Sequence, residues 1–154
     1  MYTGLVHLHN FLRWIILLLL IMAIIRHLKG MSGNKPFTEG DKKNGLFLMI
    51  VAHIQFLLGL IQWFVSDVGY KQVKNVASFS EVMQTPVLRF WTVEHTAGML
   101  IAIILITIGR GVSKKPLPDN IKHKRSFWLY LIALIFIIAA VPWPGRGEIS
   151  RPLL

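Results

Sequence analysis

The chain contains no cysteine and only seven acidic residues, and both shortages narrow what it can be. Without cysteine, disulfides, thiolate metal sites and thiol nucleophiles are all excluded. The seven acidic residues stand against 17 lysines and arginines, which gives a formal net charge of +10 over 154 residues. No basic patch interleaved with aromatic residues accompanies this excess, so the sequence predicts no nucleic-acid partner.

The chain is rich instead in long apolar runs. Hydrophobic residues make up 54% of it, and four apolar runs cover residues 5–25, 45–65, 87–108 and 127–143. About 20 helical residues cross the roughly 30 Å of hydrocarbon in a bilayer. We therefore predict a single all-α integral membrane domain over residues 1–154, with the lipid bilayer around it. The first run lacks the basic n-region of a signal peptide, so we expect it to remain in the mature protein.

The lysines and arginines are distributed unevenly between the links. The links at residues 26–43 and 110–125 hold eleven of them, whereas the link at 71–89 and the tail at 146–151 hold five. Loops rich in lysine and arginine stay on the cytoplasmic side of a membrane. The distribution predicts an antiparallel four-helix bundle in a bacterial-type inner (plasma) membrane, with both termini outside.

Polar side chains within the apolar runs are few, and the ionisable ones are costly at that depth. They are His7, His9, Asn10 and Arg13 in the first run, His53, Gln55 and Gln62 in the second, and Glu94 and His95 in the third. Ionisable residues inside a membrane usually mark a functional site or a buried pair. The question is which of them lie together.

The depth of each histidine can be counted along its helix from the basic residue at the predicted inner end. His9 lies 17 residues from that point and His95 lies 15, which corresponds to about 25 Å and about 22 Å. His53 lies 10 residues away, or about 15 Å. His9 and His95 are therefore level, on helices that are diagonal in an up-and-down bundle. Two facing imidazoles can supply both axial ligands of a haem iron.

The neighbours of these two histidines suit a haem. Arg13, one turn after the first histidine, and Arg89, near the outer surface, are candidate partners for the propionates. Gly98, one turn after the second histidine, is expected to let the ring approach the helix backbone. Glu94 is expected either to pair with Arg13 or to accept the second proton of an axial histidine.

Simpler interpretations of the same residues stay open. The two histidines can act as hydrogen-bonding groups between helices, and Glu94 with Arg13 can form an ordinary buried ion pair. A zinc or copper site would need a third clustered ligand, which only His53 or His7 could supply.

The remaining histidines are assigned weaker roles. His53 has no diagonal partner, so we expect a buried hydrogen-bonding group there rather than an iron ligand. His7 points to nearly the opposite face of the helix from His9 and is the weaker candidate of the two. His27 and His123 lie in the basic links, where we expect them to be solvated.

Three segments carry a resemblance to known membrane proteins. They are "HLHNFLRW" at residues 7–14, "HIQFLLGLIQWF" at 53–64 and "VEHTAGMLIAI" at 93–103. These segments resemble the short four-helix membrane proteins commonly labelled cytochrome b, and they are similar to one half of the haem A synthase fold. The resemblance extends over nearly the whole chain.

The resemblance implies a haem between His9 and His95 as axial ligands, with Glu94 corresponding to an acidic residue near it. It also implies that the segment at 55–59 belongs to the intervening helix. The chain departs from the synthase pattern, because an arginine follows His9 by four residues rather than one and the duplicated second half is missing. The glutamate also sits beside the second histidine rather than before the first. The resemblance therefore implies haem binding more than synthase chemistry.

These observations together predict a b-type membrane cytochrome that binds haem b near the outer face and transfers single electrons. We expect a relay or a subunit of a larger respiratory assembly rather than a stand-alone enzyme, with a quinol or a periplasmic redox protein as its partner. Two alternatives stay open. One is a haem A synthase-like protein that modifies or delivers haem, and the other is a cofactor-free structural or assembly protein.

Overall fold

The computed structural model of the protein describes residues 2–67, 69–76 and 78–150. All secondary structure in these ranges is helical. The elements are α1 (Tyr2–Ser32), α2 (Glu39–Val65), α3 (Tyr70–Asn75), α4 (Phe79–Gln84), α5 (Pro86–Arg89), a π-helical turn (Phe90–Glu94), α6 (His95–Val112), α7 (Asp119–Ala140) and a 3₁₀ turn (Gly147–Ile149). Among the described residues, four helical segments are long and apolar enough to cross a membrane. The prediction of an all-helical protein with four membrane-length helices is confirmed.

The helices extend beyond the apolar runs into the basic links. α1 continues to Ser32 and α7 begins at Asp119, so many of the linking lysines and arginines are themselves helical. At the other end, α7 stops at Ala140, three residues before the end of the apolar run. Val141 is extended there, and Pro142 has no amide hydrogen with which to continue the helix.

The start of α2 is fixed by a capping box. The Oγ1 atom of Thr38 accepts a hydrogen bond from the Asp41 amide at 3.3 Å, and Asp41 Oδ2 accepts one from the Thr38 amide at 2.7 Å. The other carboxylate oxygen of Asp41 accepts from Arg26 Nε of α1 at 2.8 Å. A local signal in the sequence thereby ties the first two long helices together at the basic end of the molecule.

The polar link between the second and third long segments contains two short helices, α3 and α4. Ser78 caps α4 by accepting a hydrogen bond from the Glu81 amide. Pro86 occupies the first position of α5, where its missing amide hydrogen costs nothing. The link is therefore largely helical and leads directly into the third long segment.

The four long helices pack around a common centre. α1 contacts α2 and α7, and α6 contacts the same two helices. Leu20, Leu48, Ala52, Ile106 and Ala133 lie between them, none more than 1% exposed. Large apolar side chains also point outward along every long helix, as a lipid-facing surface requires. α1 and α6 consequently face each other across the molecule, with α2 and α7 on either side.

Candidate functional site

A cavity of about 310 Å³ opens between the long helices at the end opposite the basic links. His9 of α1 and His95 of α6 both line it. The walls around them are mostly apolar, and the polar or aromatic groups on the walls include Asn10, Arg13, Gln55, Trp63, Trp91 and Thr92. The structure thus brings together the two histidines that their depth had singled out.

His95 follows directly on the π-helical turn. Its amide donates to the carbonyl of Phe90, five residues earlier, and the Thr96 hydroxyl donates to the carbonyl of Trp91 at 3.0 Å. Such π-turns within helices are uncommon and occur often at functional sites. The turn changes which residues share a face of the helix just before His95.

The imidazole of His95 is anchored to the neighbouring helix. Its Nδ1 atom lies 2.8 Å from the carbonyl oxygen of Ala140, near the end of α7. Because a carbonyl can only accept, Nδ1 must carry the proton. Nε2 is then the ring nitrogen whose lone pair can bind a metal or accept a hydrogen bond.

The imidazole of His9 is positioned by packing. A methyl group at Gly59 of α2 would lie 3.1 Å from His9 Cε1, so the glycine gives the ring room against the helix backbone. His9 Nδ1 is buried and has no hydrogen-bond partner among the described residues. A buried polar atom left in this way costs free energy unless a ligand or water satisfies it.

Two glutamines of α2 hold α1 beside the cavity. Gln55 Nε2 donates to the His9 carbonyl at 2.8 Å, and Gln62 Nε2 donates to the Leu5 carbonyl at 2.9 Å. Gln55 Oε1, Trp63 Nε1 and Thr92 Oγ1 are buried at the cavity without a hydrogen-bond partner in the described part of the chain. Several polar groups therefore converge on an otherwise apolar space, as in sites that bind small molecules.

Arg13 brings positive charge to the same wall. Its side chain is largely buried, at 8% exposure, and the guanidinium carbon lies 5.6 Å from the ring centre of Trp14. An arginine at this position suits a ligand with an acidic group.

The expectation for Glu94 is wrong. Glu94 Oε1 accepts a hydrogen bond from Arg89 Nε at 2.8 Å, so the glutamate pairs with Arg89 rather than with Arg13. It is also not the acceptor for His95, a role taken by the carbonyl of Ala140. The cause is the π-turn, which brings residues five apart onto one face. Both members of the pair are more than two-fifths exposed, and they line a smaller surface pocket rather than the cavity.

The placements of Arg89 and Gly98 also differ from expectation. Arg89 is bound to Glu94 and to the Met83 carbonyl outside the cavity, which removes it from the proposed propionate partners. Gly98 faces α7, where an added methyl group would lie 2.8 Å from the Cβ of Ala140. Gly98 therefore lets two helices approach closely, and its backbone does not line the cavity.

His53 and His7 lie on the outside of the molecule. Both side chains are exposed and neither lines the cavity, so the expectation of a buried His53 is wrong. His53 Nδ1 donates to the carbonyl of Met49, one turn earlier in its own helix. Across the described ranges, no group of three or more histidine, cysteine, aspartate or glutamate residues could hold a metal ion. Neither residue supplies the third ligand of a zinc or copper site.

The expectation that His27 and His123 are solvated is also wrong. They are 2% and 1% exposed, and their Nδ1 atoms lie 3.0 Å apart at the basic end of the helices. Phe37 and Tyr130 stack on His27, and a methyl group at Gly30 would overlap the ring of His123. The helices carry these histidines inward because α1 and α7 both extend past the apolar runs.

One face of α2 contributes to the site in a way that was not predicted. Gln55, Gly59 and Trp63 are spaced four residues apart, so they share one face of α2, and all three line the cavity. Trp63 and Trp91 lie near helix ends, where tryptophan is common in any membrane protein. The repeat of polar, small and aromatic residues every fourth position was the signal available in the sequence.

Comparison with known proteins finds no matching protein family, no matching curated protein and no matching solved structure.

Proposed function

We propose that the protein is an integral membrane b-type cytochrome that holds haem b between α1 and α6 and transfers single electrons. One observation carries the proposal. His9 and His95, from helices that face each other across the molecule, line the same cavity. Two imidazoles are sufficient as the protein ligands of a haem iron, and no third metal-binding residue is needed.

The other residues of the cavity fit the same group. Its walls are mainly apolar, as a porphyrin requires, and Arg13 supplies a positive charge suited to a propionate. The buried polar atoms of His9, Gln55 and Trp63 that lack partners among the described residues are consistent with a site that a ligand completes. When bound, haem would supply one-electron oxidation and reduction at its iron.

The residues of the chain would perform the remaining tasks. His95 presents Nε2 because its Nδ1 proton is bound to the Ala140 carbonyl. Gln55 holds the backbone of α1 at His9, and the apolar walls limit the access of water. A dry, preorganised site of this kind allows a cofactor to change its charge with little rearrangement of the protein.

The proposed setting is a bacterial-type inner membrane with the four long helices antiparallel and both termini outside. The concentration of lysine and arginine in the links at 26–43 and 110–125 supports this orientation. The cavity would then lie near the outer face. A quinol or a periplasmic redox protein would exchange electrons there, with the protein acting as a subunit or relay in a larger respiratory assembly.

An absorption spectrum of detergent-purified protein, oxidised and then reduced with dithionite, tests the proposal. Sharp α and β bands after reduction are expected for a low-spin haem. His9→Ala and His95→Ala should each abolish that spectrum, whereas the matched controls His53→Ala and His7→Ala should preserve it because both side chains are exposed. A protein that stays colourless even with haem supplied would refute the proposal and favour a structural or assembly role.

A further inference from the structure

The two cavity histidines are held to the protein in different ways. His95 donates through Nδ1 to the carbonyl of Ala140 at 2.8 Å. His9 Nδ1 is buried and has no hydrogen-bond partner among residues 2–67, 69–76 and 78–150. One imidazole therefore has a fixed tautomer and orientation, while the other is positioned by packing alone.

The anchor for His95 depends on how α7 ends. Carbonyl groups in the last turn of a helix have no amide partner within that helix, so the Ala140 carbonyl can accept from another helix. Gly98 lies one turn after His95 and is buried against α7. An added methyl group there would come within 2.8 Å of the Cβ of Ala140. The absence of a side chain at Gly98 thus permits the close approach on which the hydrogen bond depends.

We propose that the two histidines would hold the haem unequally: His95 would be the firmly held ligand and His9 the more readily released one, so that a small external ligand would displace His9 in preference to His95. Gly98 and the Ala140 carbonyl are then positioning groups for His95. This inference rests on the proposed function. Hydrogen bonds to the second nitrogen of a ligating histidine orient the ring and raise its basicity, and their loss typically weakens metal affinity about 10-fold to 100-fold.

The two histidine variants distinguish the ligands. His9→Ala should retain haem as a high-spin species that binds carbon monoxide after reduction, because His95 still supplies one anchored ligand. After purification with identical washing, His95→Ala should retain at least about 10-fold less haem than His9→Ala. Equal retention by the two variants, or loss of haem only from His9→Ala, would overturn the inference.

A second comparison tests the positioning role without removing either ligand. Gly98→Ala should lower haem retention and shift the reduction potential, since the added methyl group separates α6 from α7. Gly111→Ala is the matched control, because a methyl group there would meet nothing within 4 Å. Each measurement is made on the monodisperse, helical fraction. If Gly98→Ala and Gly111→Ala have the same absorption spectrum, haem retention and reduction potential, Gly98 has no positioning role.

The state of His95 can also be read in the wild-type protein without haem. ¹⁵N NMR of the histidine rings at neutral pH should show His95 as the Nδ1-protonated tautomer, as its bond to Ala140 requires. Protonation at Nε2 instead would overturn the inference even if the variants fail to fold. Failure of the wild-type protein to bind haem would refute the proposed function, whereas a low-spin wild type with equivalent histidines would refute only the inequality.

Discussion

The contact between Gly30 and His123 allows a stability prediction that is independent of any cofactor. In Gly30→Ala, the new methyl group would overlap the imidazole of His123. That ring has little freedom to move, because it is 1% exposed and its Nδ1 lies 3.0 Å from that of His27. The centre of the Phe37 ring lies 5.0 Å from the centre of the His123 ring.

Two opposing contributions set the expected size of the effect. Overpacking a well-filled core costs about 1–3 kcal/mol, and the enclosed position of His123 places this substitution toward the upper end. Replacing a helical glycine by alanine stabilises the helix by about 0.5–1 kcal/mol. The net expectation is a loss of about 2 kcal/mol from the free energy of unfolding. Gly111→Ala meets nothing within 4 Å and should show only the gain.

The change in the free energy of unfolding can be measured by titrating the protein in mixed micelles with sodium dodecyl sulfate and following tryptophan fluorescence. The expected order of stability is Gly111→Ala above the wild type and Gly30→Ala below it. In a His123→Ala background, the penalty of Gly30→Ala should disappear because the clashing ring has gone. A Gly30→Ala protein as stable as the wild type would refute the packing argument, as would a penalty that persists without the ring.

Three further predictions concern the capping box, the cavity wall and the surface ion pair. Thr38→Ala should cost about 1 kcal/mol in the same unfolding assay, since it removes the side-chain cap of α2 and its bond to Asp41; an unchanged stability would contradict this. Gln55→Leu should lower stability by about 0.6–1 kcal/mol through loss of the bond to the α1 backbone, and a stabilised variant would show that this bond contributes nothing. Glu94→Gln should leave the haem spectrum and reduction potential unchanged, because its exposed pair with Arg89 lies outside the cavity; a shifted potential would restore Glu94 to the site.

The number and approximate positions of the membrane-length helices were predictable because they follow from a simple physical constraint. In a bilayer every backbone amide and carbonyl must be hydrogen-bonded within the protein. An apolar run of about 20 residues therefore crosses it as an α-helix. The rise of a helix then converts sequence distance into depth, which is why the spacing of residues along the chain was enough to match His9 with His95.

Rotation about a helix axis was much less predictable. The π-turn before His95 brings Arg89 and Glu94, five residues apart, onto one face and so removes both from the cavity. In an α-helix, residues three and four apart lie on the same face. The local composition gives no sign that this segment contains a π-helical turn instead. For the same reason, Gly98 was expected to face a haem, whereas it packs against α7.

The all-helical character of the chain and its four membrane-length segments follow from the sequence alone, because hydrophobicity and run length act locally along the chain. The sequence also determined which few polar side chains lie within those segments. The partners of these side chains became clear from the packing of the helices: His95 bonds to Ala140, the Nδ1 atom of His9 has no partner in the described part of the chain, and His27 is buried against His123. Each of these depends on contacts between helices that are distant in sequence, and such contacts follow from the packing of whole helix faces rather than from any local pattern.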